Sequence, residues 1–262
     1  MSARRADVSR RGVAAGSGTP CGGASDGWSR LVTCEHGGNA IPPRYAALFA
    51  GREALLASHR GYDPGALSMA KTLARALGAP LVASTTSRLL VELNRSPGRQ
   101  FRFSPIMRGA PRALRDEVTR DYYVPYRSRV EAFVEAAVAA GRSVLHVSSH
   151  SFTPALDGTI RCGDIGLLYD PARPREREFC VRWQRTLSEA LPGLVVRRNF
   201  PYLGRSDGVT SCLRKRFRGD DYLGIELEVN QHHARNDALP VEMRRATARA
   251  LREVLGESMR AQ

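Results

Sequence analysis

The stretch Ser143–Pro154 reads Ser-Val-Leu-His-Val-Ser-Ser-His-Ser-Phe-Thr-Pro, and the fold of the chain is organised around it. It predicts a buried strand that runs into a polar turn carrying His150. An imidazole at the end of a central strand can bind a metal ion or move protons. It can equally form a single hydrogen bond to a loop carbonyl. The choice depends on whether the rest of the chain supplies partners for His150.

Strands and helices alternate on both sides of this stretch, with no internal repeat or linker. The predicted strands are Arg30–Cys34, Pro80–Ser84, Arg88–Arg95, Ser143–His150, Asp164–Tyr169, Leu194–Arg198 and Tyr222–Val229. The predicted helices are one that follows Asp63 and ends at Gly78, one over Arg112–Ala140 that is broken near Pro125, then Pro174–Leu191 and Val241–Leu255. This order predicts one three-layer α/β domain over residues 27–262. Residues 1–26, rich in Arg, Ser, Gly and Ala, are predicted to be a disordered tail.

The charge of the chain is its unusual compositional property. Among 262 residues the net charge is +14, while 42% hydrophobic and 25% charged residues are ordinary for a globular protein. Such a charge can indicate nucleic-acid binding. Here, however, the excess is scattered arginine, with lysine only at Lys71 and Lys215, and no nucleic-acid-binding motif is present. Arginine-rich, solvated helix faces explain the charge better. A non-catalytic nucleic-acid-binding protein remains the alternative from another functional class.

The cysteines and the apolar runs indicate the cellular compartment of the protein. Five widely spaced cysteines without a Cys-x-x-Cys pair argue against a disulfide framework and against a thiolate zinc site. No apolar run approaches the roughly 18 residues of a membrane span. The basic N-terminus lacks the apolar core of a signal peptide. We therefore expect a protein of the reducing cytoplasm that has no membrane partner.

Polar side chains gather where the predicted strands end. They are Glu35, His36, Arg88, Asn94, Arg95, His150, Glu226 and Glu228. A catalytic zinc ion takes three nitrogen or oxygen ligands and keeps a position for water. His36, His150 and one carboxylate satisfy that number. A remaining carboxylate can then act as general base for the bound water.

The basic members of this set predict an anionic substrate. A guanidinium binds a carboxylate through two hydrogen bonds, and a neighbouring amide fixes its orientation. Arg88, Asn94 and Arg95 therefore predict a small substrate with an anionic end. The alternative for Arg95 is a weak surface ion pair.

Two loop segments add to this expectation. Gly37 and Gly38 follow His36 directly, and glycines permit tight turning and close backbone approach at a strand end. Asp63 precedes Pro64 at the start of a predicted helix, so a capping role is a sufficient structural reason for it.

Five motifs, in order, resemble the N-formylglutamate amidohydrolase family. They are Cys34-Glu-His-Gly-Gly-Asn39, Tyr62-Asp-Pro-Gly-Ala66, Ser87-Arg-Leu-Leu-Val-Glu-Leu-Asn-Arg95, Ser149-His-Ser-Phe-Thr-Pro154 and Gly224-Ile-Glu-Leu-Glu-Val-Asn-Gln231. The resemblance extends from about Leu31 to Gln231. It implies a phosphorylase/hydrolase-like αβα fold with a mixed sheet, similar to zinc carboxypeptidases, aspartoacylases and muramoyl-alanine amidases. It also implies zinc-dependent hydrolysis of N-formyl-L-glutamate to formate and L-glutamate, a late step of histidine breakdown.

The resemblance implies the metal ligands of one zinc ion. His36 and His150 match the two histidine positions. Aspartoacylases use His-x-x-Glu, but the fourth position here is Asn39, a poor zinc ligand. Muramoyl-alanine amidases use a glutamate just before the first helix, where this chain has Asp63. Asp63 is therefore the predicted third ligand, with Glu35 as its rival.

The resemblance also implies the remaining roles. Asn94 and Arg95 correspond to the pair that binds the substrate carboxylate, and Arg88 to an arginine that polarises the scissile carbonyl. Either Glu226 or Glu228 is the general base, and the Glu-aliphatic-Asn pattern favours Glu228. Two further residues, Asp207 and Arg214, are expected to line the pocket and to hold a second carboxylate. The nearest alternative is an amidohydrolase of the same fold that acts on another small N-acylated substrate.

Other histidines are assigned structural roles. His146 lies inside its predicted strand and is expected to be a core histidine with its hydrogen bonds satisfied. The pair His232-His233 follows the last strand and is expected to be part of a solvated loop rather than a pair of ligands.

Overall fold

The structure, a computed structural model, describes residues 27–98 and 102–260. The predicted tail of residues 1–26 lies outside the described residues. The strands are β1 (Trp28–Cys34), β2 (Leu81–Ala83), β3 (Ser143–Phe152), β4 (Ala155–Leu156), β5 (Thr159–Ile160), β6 (Ile165–Leu168), β7 (Val196–Arg198) and β8 (Tyr222–Asn230). The α-helices are α1 (Glu53–Leu56), α2 (Ala66–Leu77), α3 (Pro105–Arg108), α4 (Arg112–Val118), α5 (Val124–Ala139), α6 (Pro174–Ala190), α7 (Val209–Arg214) and α8 (Val241–Arg260). Across the described residues, no helix has the length and apolar character needed to cross a bilayer.

Six of the described strands form one mixed sheet in the order β2-β1-β3-β8-β6-β7. Strands β2, β1, β3 and β8 are parallel, whereas β6 pairs antiparallel with β8 and β7 runs parallel to β6. The register pairs His150 of β3 with Glu228 of β8. Because β1, β3 and β8 are parallel, the residues at their carboxyl ends meet at one edge of the sheet. The predicted mixed sheet is confirmed.

Helices cover both faces of the sheet, so the three-layer prediction is also confirmed. Helices α2, α6 and α8 bury one core, in which Met69, Trp183 and Leu251 are fully buried together with strand residues such as Val147. On the other face, α5 buries Val130 and Val134 against Leu31 and Val144. The two separate cores follow from the side-chain alternation of the strands, which sends neighbouring residues to opposite faces.

The segment Arg88–Arg95 is not a strand, which corrects one prediction. It forms consecutive turns, with the amide of Leu90 donating to Ser87 O at 3.0 Å. Its aliphatic residues are buried in the core beneath α5, which explains the apolar pattern. A short apolar run is common to buried strands and buried turns, so periodicity does not separate them. The turns place Arg88 and Glu92 on the same side.

The predicted helix break near Pro125 is a π-helical turn, and the helix is not interrupted there. Between α4 and α5, Thr119–Tyr123 form a π-helical turn, and Pro125 lies in the first turn of α5. Proline has no N–H to donate to the preceding turn, so a local widening of the helix accommodates it. The segments α4, the π-helical turn and α5 therefore follow one another without an interruption.

The glycines after β1 permit the close approach that the sequence suggested. A Cβ atom at Gly37 would lie 2.9 Å from Ser84 O, and one at Gly38 would lie 2.8 Å from Thr85 O. The amide of Gly37 also donates to Ser84 O at 2.9 Å. Close backbone packing against the chain that follows β2 therefore excludes larger residues here and brings the end of β1 to the edge of the site.

His146 is a satisfied core histidine, as predicted. It is fully buried on β3, where Nε2 lies 2.9 Å from Thr33 Oγ1 and Nδ1 lies 2.7 Å from Tyr222 Oη. Burial lowers the pKa of His146 to about 4, although the Glu35 carboxylate partly opposes this effect. The ring is thus held in its neutral form, in which one nitrogen donates and the other accepts.

This buried histidine makes stability depend on pH. The unfolded chain binds a proton at His146 near pH 6.5 and the folded protein only near pH 4, so its stabilising contribution is present above pH 6.5 and is lost as the pH falls toward 4. When the pH falls from 7 to 5, the free energy of unfolding should decrease in both proteins. We expect the decrease to be about 2 kcal/mol smaller in His146→Gln than in the unmodified protein, because the variant lacks the buried imidazole. Urea unfolding at both pH values, with a chelator present, measures the difference.

The matched control is His59→Gln, because His59 is exposed. This variant should lose as much stability between the two pH values as the unmodified protein. If the free energy of unfolding decreased equally in the His146→Gln and His59→Gln variants, His146 would not be a buried neutral histidine that makes stability depend on pH.

Candidate active site

The carboxyl-terminal edge of β1, β3 and β8 opens into a cavity of about 270 Å³. The structure brings nine of the ten predicted site residues together at its wall. They are His36, Asp63, Arg88, Asn94, Arg95, His150, Asp207, Glu226 and Glu228. Residues from six separate stretches of the sequence therefore meet in one place.

Three possible ligand atoms converge in this cavity. Asp63 Oδ2 lies 3.2 Å from His36 Nδ1 and 3.0 Å from His150 Nδ1, and all three side chains are buried. The three atoms lie within 4.8 Å of one another. Zinc–ligand bonds of about 2.0–2.1 Å in a tetrahedral site imply ligand atoms about 3.3 Å apart. The observed separations from Asp63 fit such an ion.

The opposite nitrogen of each histidine is held by a carboxylate. His36 Nε2 donates to Glu92 Oε1. His150 Nε2 lies 2.9 Å from Ser148 Oγ, and the Ser148 hydroxyl donates to Glu35 Oε2 at 2.7 Å. Because Nε2 of each ring contacts these groups, Nδ1 is the nitrogen that faces Asp63 and that would give up its proton to bind an ion. Partners of this kind orient histidine ligands in metal sites and raise their basicity.

Asp63 is positioned by its neighbours rather than used as a helix cap. Gly65 is the N-cap residue of α2, at φ 84°, and no side chain caps the helix. The capping explanation of Asp63 is therefore wrong. Its amide donates to His36 O at 2.9 Å, and Arg88 Nη1 donates to Asp63 Oδ1 at 3.2 Å. These contacts turn Oδ2 toward the two histidines.

Glu35, the rival of Asp63, lies on the other side of the His150 ring. Its Oε2 is 3.2 Å from His150 Nε2, and its Oε1 accepts a hydrogen bond from Tyr126 Oη at 2.8 Å. Glu35 is fully buried and does not line the cavity. The geometry thus suits Asp63 as a ligand and Glu35 as the group that orients His150.

The ionisation states reflect these contacts. Burial opposes the charged form of Asp63, but His36, His150 and Arg88 outweigh burial and lower its pKa. For His150, burial lowers the pKa, while hydrogen bonds and charge from Asp63 and Glu35 raise it more, so that the pKa lies well above its usual value. Each buried charge is therefore compensated by a direct partner.

Glu226 and Glu228 share one face of β8 but have different surroundings. Thr210 Oγ1 donates to Glu226 Oε1 at 2.6 Å. By contrast, Glu228 Oε2 is buried and has no hydrogen-bond partner among the described residues. Burial, and then the charges of Asp63 and Glu226, raise the pKa of Glu228 to about 8 against the opposing charge of His150. A carboxyl group in this state is suited to proton transfer near neutral pH.

The buried carboxylic acids in and around the cavity outnumber the arginines in its wall, which fits a bound cation. The buried carboxylic acids in and around the cavity are Glu35, Asp63, Glu92, Glu226 and Glu228, whereas the arginines in its wall are Arg88 and Arg95. A divalent cation beside the His36, Asp63 and His150 ligand atoms would reduce the repulsion that raises the pKa of Glu228. The ligand set of two imidazoles and one carboxylate is also the type found in catalytic zinc sites.

The predicted substrate-binding residues Asn94, Arg95 and Asp207 also line the cavity. Asn94 Oδ1 accepts a hydrogen bond from the amide of Val209 at 2.8 Å, which leaves its NH₂ group available to a ligand. Arg95 Nη1 donates to the carbonyl oxygen of Asp207, and Asp207 Oδ2 accepts from the amide of Ser96 at 3.2 Å. These bonds hold the two polar residues of the Asn94-Arg95 pair against the loop that precedes α7.

Arg214 does not lie in the cavity, which corrects the prediction that it lines the pocket. It is buried beside Glu176, with Nε 2.9 Å from Glu176 Oε1, and Nη1 donates to Gly204 O at 2.6 Å. Nη2 donates to Gly224 O at 2.5 Å. These bonds occupy the guanidinium, so Arg214 joins β8 to the loop near the site and is not free to bind a substrate.

The sequence analysis did not single out Glu92, which contacts both His36 and Arg88. Its spacing of four residues from Arg88 is the one signal that could have indicated it. Tyr202, Leu203 and Ser206 also line the cavity without having been predicted. They belong to the irregular loop before α7, where sequence periodicity carries no information.

Comparisons with known proteins agree with this geometry. The profile of the N-formylglutamate amidohydrolase family matches residues 29–234. A gene product from Agrobacterium tumefaciens is similar in structure, with 31% identity and a TM-score of 0.69 over 89% of this chain and 91% of that chain. An N-formylglutamate amidohydrolase from Ralstonia eutropha JMP134 has the same fold, with 18% identity and a TM-score of 0.64 over 88% of this chain and 94% of that chain. No curated protein sequence gives a significant match.

The corrected position of Arg214 has a measurable consequence for stability. Removing one partner of a buried ion pair leaves the other charge uncompensated, so Arg214→Ala should lower the free energy of unfolding by about 3–5 kcal/mol. Arg216→Ala is the matched control, because its side chain is 42% exposed and pairs with Glu131 and Glu135 at the surface. Its loss should stay below about 1 kcal/mol. Urea unfolding of both variants tests this, and an unchanged stability of Arg214→Ala would contradict the buried ion pair.

Proposed function

Because this chain belongs to the N-formylglutamate amidohydrolase family, we propose that it hydrolyses N-formyl-L-glutamate, or a similar small anionic N-acyl amino acid, with one bound zinc ion. The products are formate and L-glutamate, formed when water cleaves the amide C–N bond. One observation carries the proposal. The Nδ1 atoms of His36 and His150 and Oδ2 of Asp63 converge in a cavity whose wall also holds Glu228, and Glu228 Oε2 has no hydrogen-bond partner in the described part of the chain.

The proposed metal ligands are His36, Asp63 and His150. A divalent ion bound there would supply Lewis acidity, lowering the pKa of a water molecule and polarising the amide carbonyl. Glu92 and Glu35 act on this site through the histidines. Their carboxylates contact Nε2 of each ring, so that Nδ1 is the nitrogen aimed at the ion and would bind it in unprotonated form.

Glu228 is the proposed general base. It accepts a proton from the attacking water through Oε2, which no described residue contacts by a hydrogen bond, and later gives a proton to the departing amine. Its environment supports this role, because burial and nearby carboxylates make it hold a proton more readily than a surface glutamate does. The hydrogen bond that Glu226 accepts from Thr210 makes Glu226 the less suitable of the two for this proton transfer.

Arg88 is the proposed group that stabilises the oxyanion of the tetrahedral intermediate. Its guanidinium lines the cavity and is oriented by ion pairs to Asp63 and Glu92, the latter with Nη2 at 2.6 Å from Oε2. A cation held in place before the reaction stabilises developing negative charge without reorganisation. Burial lowers the pKa of Arg88, but Glu92 and Asp63 raise it by more than burial lowers it, so the guanidinium remains charged.

Asn94 and Arg95 are proposed to bind the α-carboxylate of the substrate, with Asp207 shaping the end of the pocket. The free amide group of Asn94 and the guanidinium of Arg95 are donors side by side at the wall of the cavity. Hydrogen bonds in which the donor or the acceptor is charged, such as those from Arg95 to a carboxylate, are about twice as strong as hydrogen bonds between neutral groups. The corrected position of Arg214 leaves Arg88 and Arg95 as the arginines that line the cavity, so a second carboxylate would have to bind one of these two.

Several finer points remain predictions from the sequence. They are the choice of zinc over another divalent ion, a place in histidine breakdown, a cytoplasmic location and a single domain over residues 27–262. The alternative substrate, another small N-acylated amino acid, uses the same groups and differs only in the part of the pocket that its acyl group fills.

The direct test of the proposal is formate release from N-formyl-L-glutamate. Protein treated with a chelator should lose this activity and recover it when Zn²⁺ is added. The His150→Ala variant should not recover, whereas His59→Ala, which replaces an exposed histidine, should recover fully. Zn²⁺-dependent hydrolysis of other N-acyl amino acids without formate release would support the proposed metal site but contradict N-formyl-L-glutamate as the substrate. Full activity of His150→Ala would reject the site.

The two glutamates of β8 give a second, sharper test. We expect Glu228→Gln to lower kcat about 10²–10⁴-fold, because proton transfer in the transition state is lost. Glu226→Gln is the matched comparison on the same face of the strand, and it should lower kcat much less. Metal content of both variants is measured in parallel, to separate lost chemistry from lost binding. The reverse order of effects would identify Glu226 as the base.

A further inference from the structure

A second group of possible metal ligands lies outside the active site, at the junction of β6 and β8. Asp164 immediately precedes β6, and His232 and His233 belong to the 3₁₀ turn that immediately follows β8. Because β6 and β8 are antiparallel neighbours, the start of one strand lies beside the end of the other. The pairing of the strands therefore brings one carboxylate and two imidazoles together.

The three side chains point at one another. Asp164 Oδ1 lies 2.7 Å from His233 Nε2 and 3.3 Å from His232 Nε2. The centroids of the two rings are 3.7 Å apart. One ligand atom from each residue lies within 4.8 Å of the others. Each of the two imidazoles therefore directs its Nε2 atom toward Asp164 Oδ1.

The backbone beneath these side chains is fixed. The amide of Asn230 donates to Asp164 O at 2.8 Å, and Asn230 Nδ2 donates to Gly163 O at 2.9 Å. Asn230 Oδ1 accepts a hydrogen bond from the amide of His232 at 3.2 Å, which caps the 3₁₀ turn. Asp164 Oδ2 accepts from the amide of Val195 at 2.7 Å, so that Oδ1 remains for the histidines. A buried asparagine therefore ties together the two segments that carry the ligands.

We propose that Asp164, His232 and His233 form a second divalent-metal site, which binds zinc or a similar first-row ion and links the start of β6 to the end of β8. Two imidazole nitrogens and one carboxylate oxygen are ligands that such ions prefer. The separation of 3.3 Å between Asp164 Oδ1 and His232 Nε2 matches the spacing of about 3.3 Å expected in a tetrahedral zinc site. His233 must move away from Asp164 by about 0.6 Å to reach that spacing.

The exposure of the cluster determines the kind of site. His232 is 44% exposed, whereas His233 and Asp164 are 17% and 16% exposed. An ion held there would have solvent on one side, and water would complete its coordination. Neither the His36–Asp63–His150 ligand set nor Glu228 belongs to this cluster, so the second ion would act on stability rather than on the reaction.

The alternative is that Asp164 only accepts hydrogen bonds from the two histidines. Counting bound zinc separates the two cases. Chelator-treated protein is titrated with Zn²⁺ by calorimetry, and the zinc retained after gel filtration is measured by emission spectrometry. We expect two equivalents for the unmodified protein. His232→Ala and His233→Ala should each retain one equivalent and keep formate release, whereas His150→Ala should retain one and lose it.

His59→Ala is the control for nonspecific binding to a surface histidine and should retain two equivalents. The use of two single variants guards against a folding defect in either one, and circular dichroism melting of the zinc-free proteins verifies that each is folded. One equivalent in the unmodified protein that is lost in His150→Ala and kept in His232→Ala and His233→Ala, or two equivalents in both His232→Ala and His233→Ala, would overturn the second site. Because formate release is measured separately, failure of the proposed reaction would not be confused with failure of this site.

Discussion

The central strand β3 is buried along its whole length after Ser143 yet carries five polar side chains, and each of them needs a partner. On one face, His146 contacts Thr33 and Tyr222, Ser148 contacts Glu35, and His150 contacts Asp63. On the other face, Ser149 and Ser151 donate to the carbonyl oxygens of Ala66 and Pro64. An unpaired buried polar group costs about 1–3 kcal/mol, so these partners are a condition of the fold. The same contacts bring the start of α2, the end of β1 and β8 to the site.

The charges around the cavity follow the same rule with one exception. Glu35, Glu92 and Asp63 are each compensated by a histidine, by Arg88 or by both, and their pKa values fall below the usual range. Glu228 is the exception, with a raised pKa and an oxygen that has no partner among the described residues. Folded proteins tolerate such uncompensated groups mainly at functional sites. The position of the exception, beside the converging His36, His150 and Asp63, connects the energetics of the fold with the proposed chemistry.

The mixed direction of the sheet separates two clusters of possible metal ligands. Parallel β1, β3 and β8 bring their carboxyl ends together and create the cavity. The antiparallel pairing of β6 with β8 instead places the first residues of β6 beside the turn after β8, which creates the cluster of Asp164, His232 and His233. The expectation that the His232-His233 pair lies in a solvated loop overlooked this geometry, because the partner of the pair is about 70 residues away in the sequence. Pairing of distant strands is a tertiary property.

The sequence by itself determined the order of strands and helices, the family and most of the residues at the cavity. These features depend on local patterns: apolar runs, helical periodicity, proline and glycine positions, and short motifs at strand ends. Only the tertiary structure decided what each polar residue contacts. It showed that Arg88–Arg95 is a buried turn, that Asp63 faces two histidines instead of capping α2, and that Arg214 pairs with Glu176 outside the cavity. A short pattern states that a residue is apolar or charged, but its partner is set by strand register and packing between segments far apart in the chain.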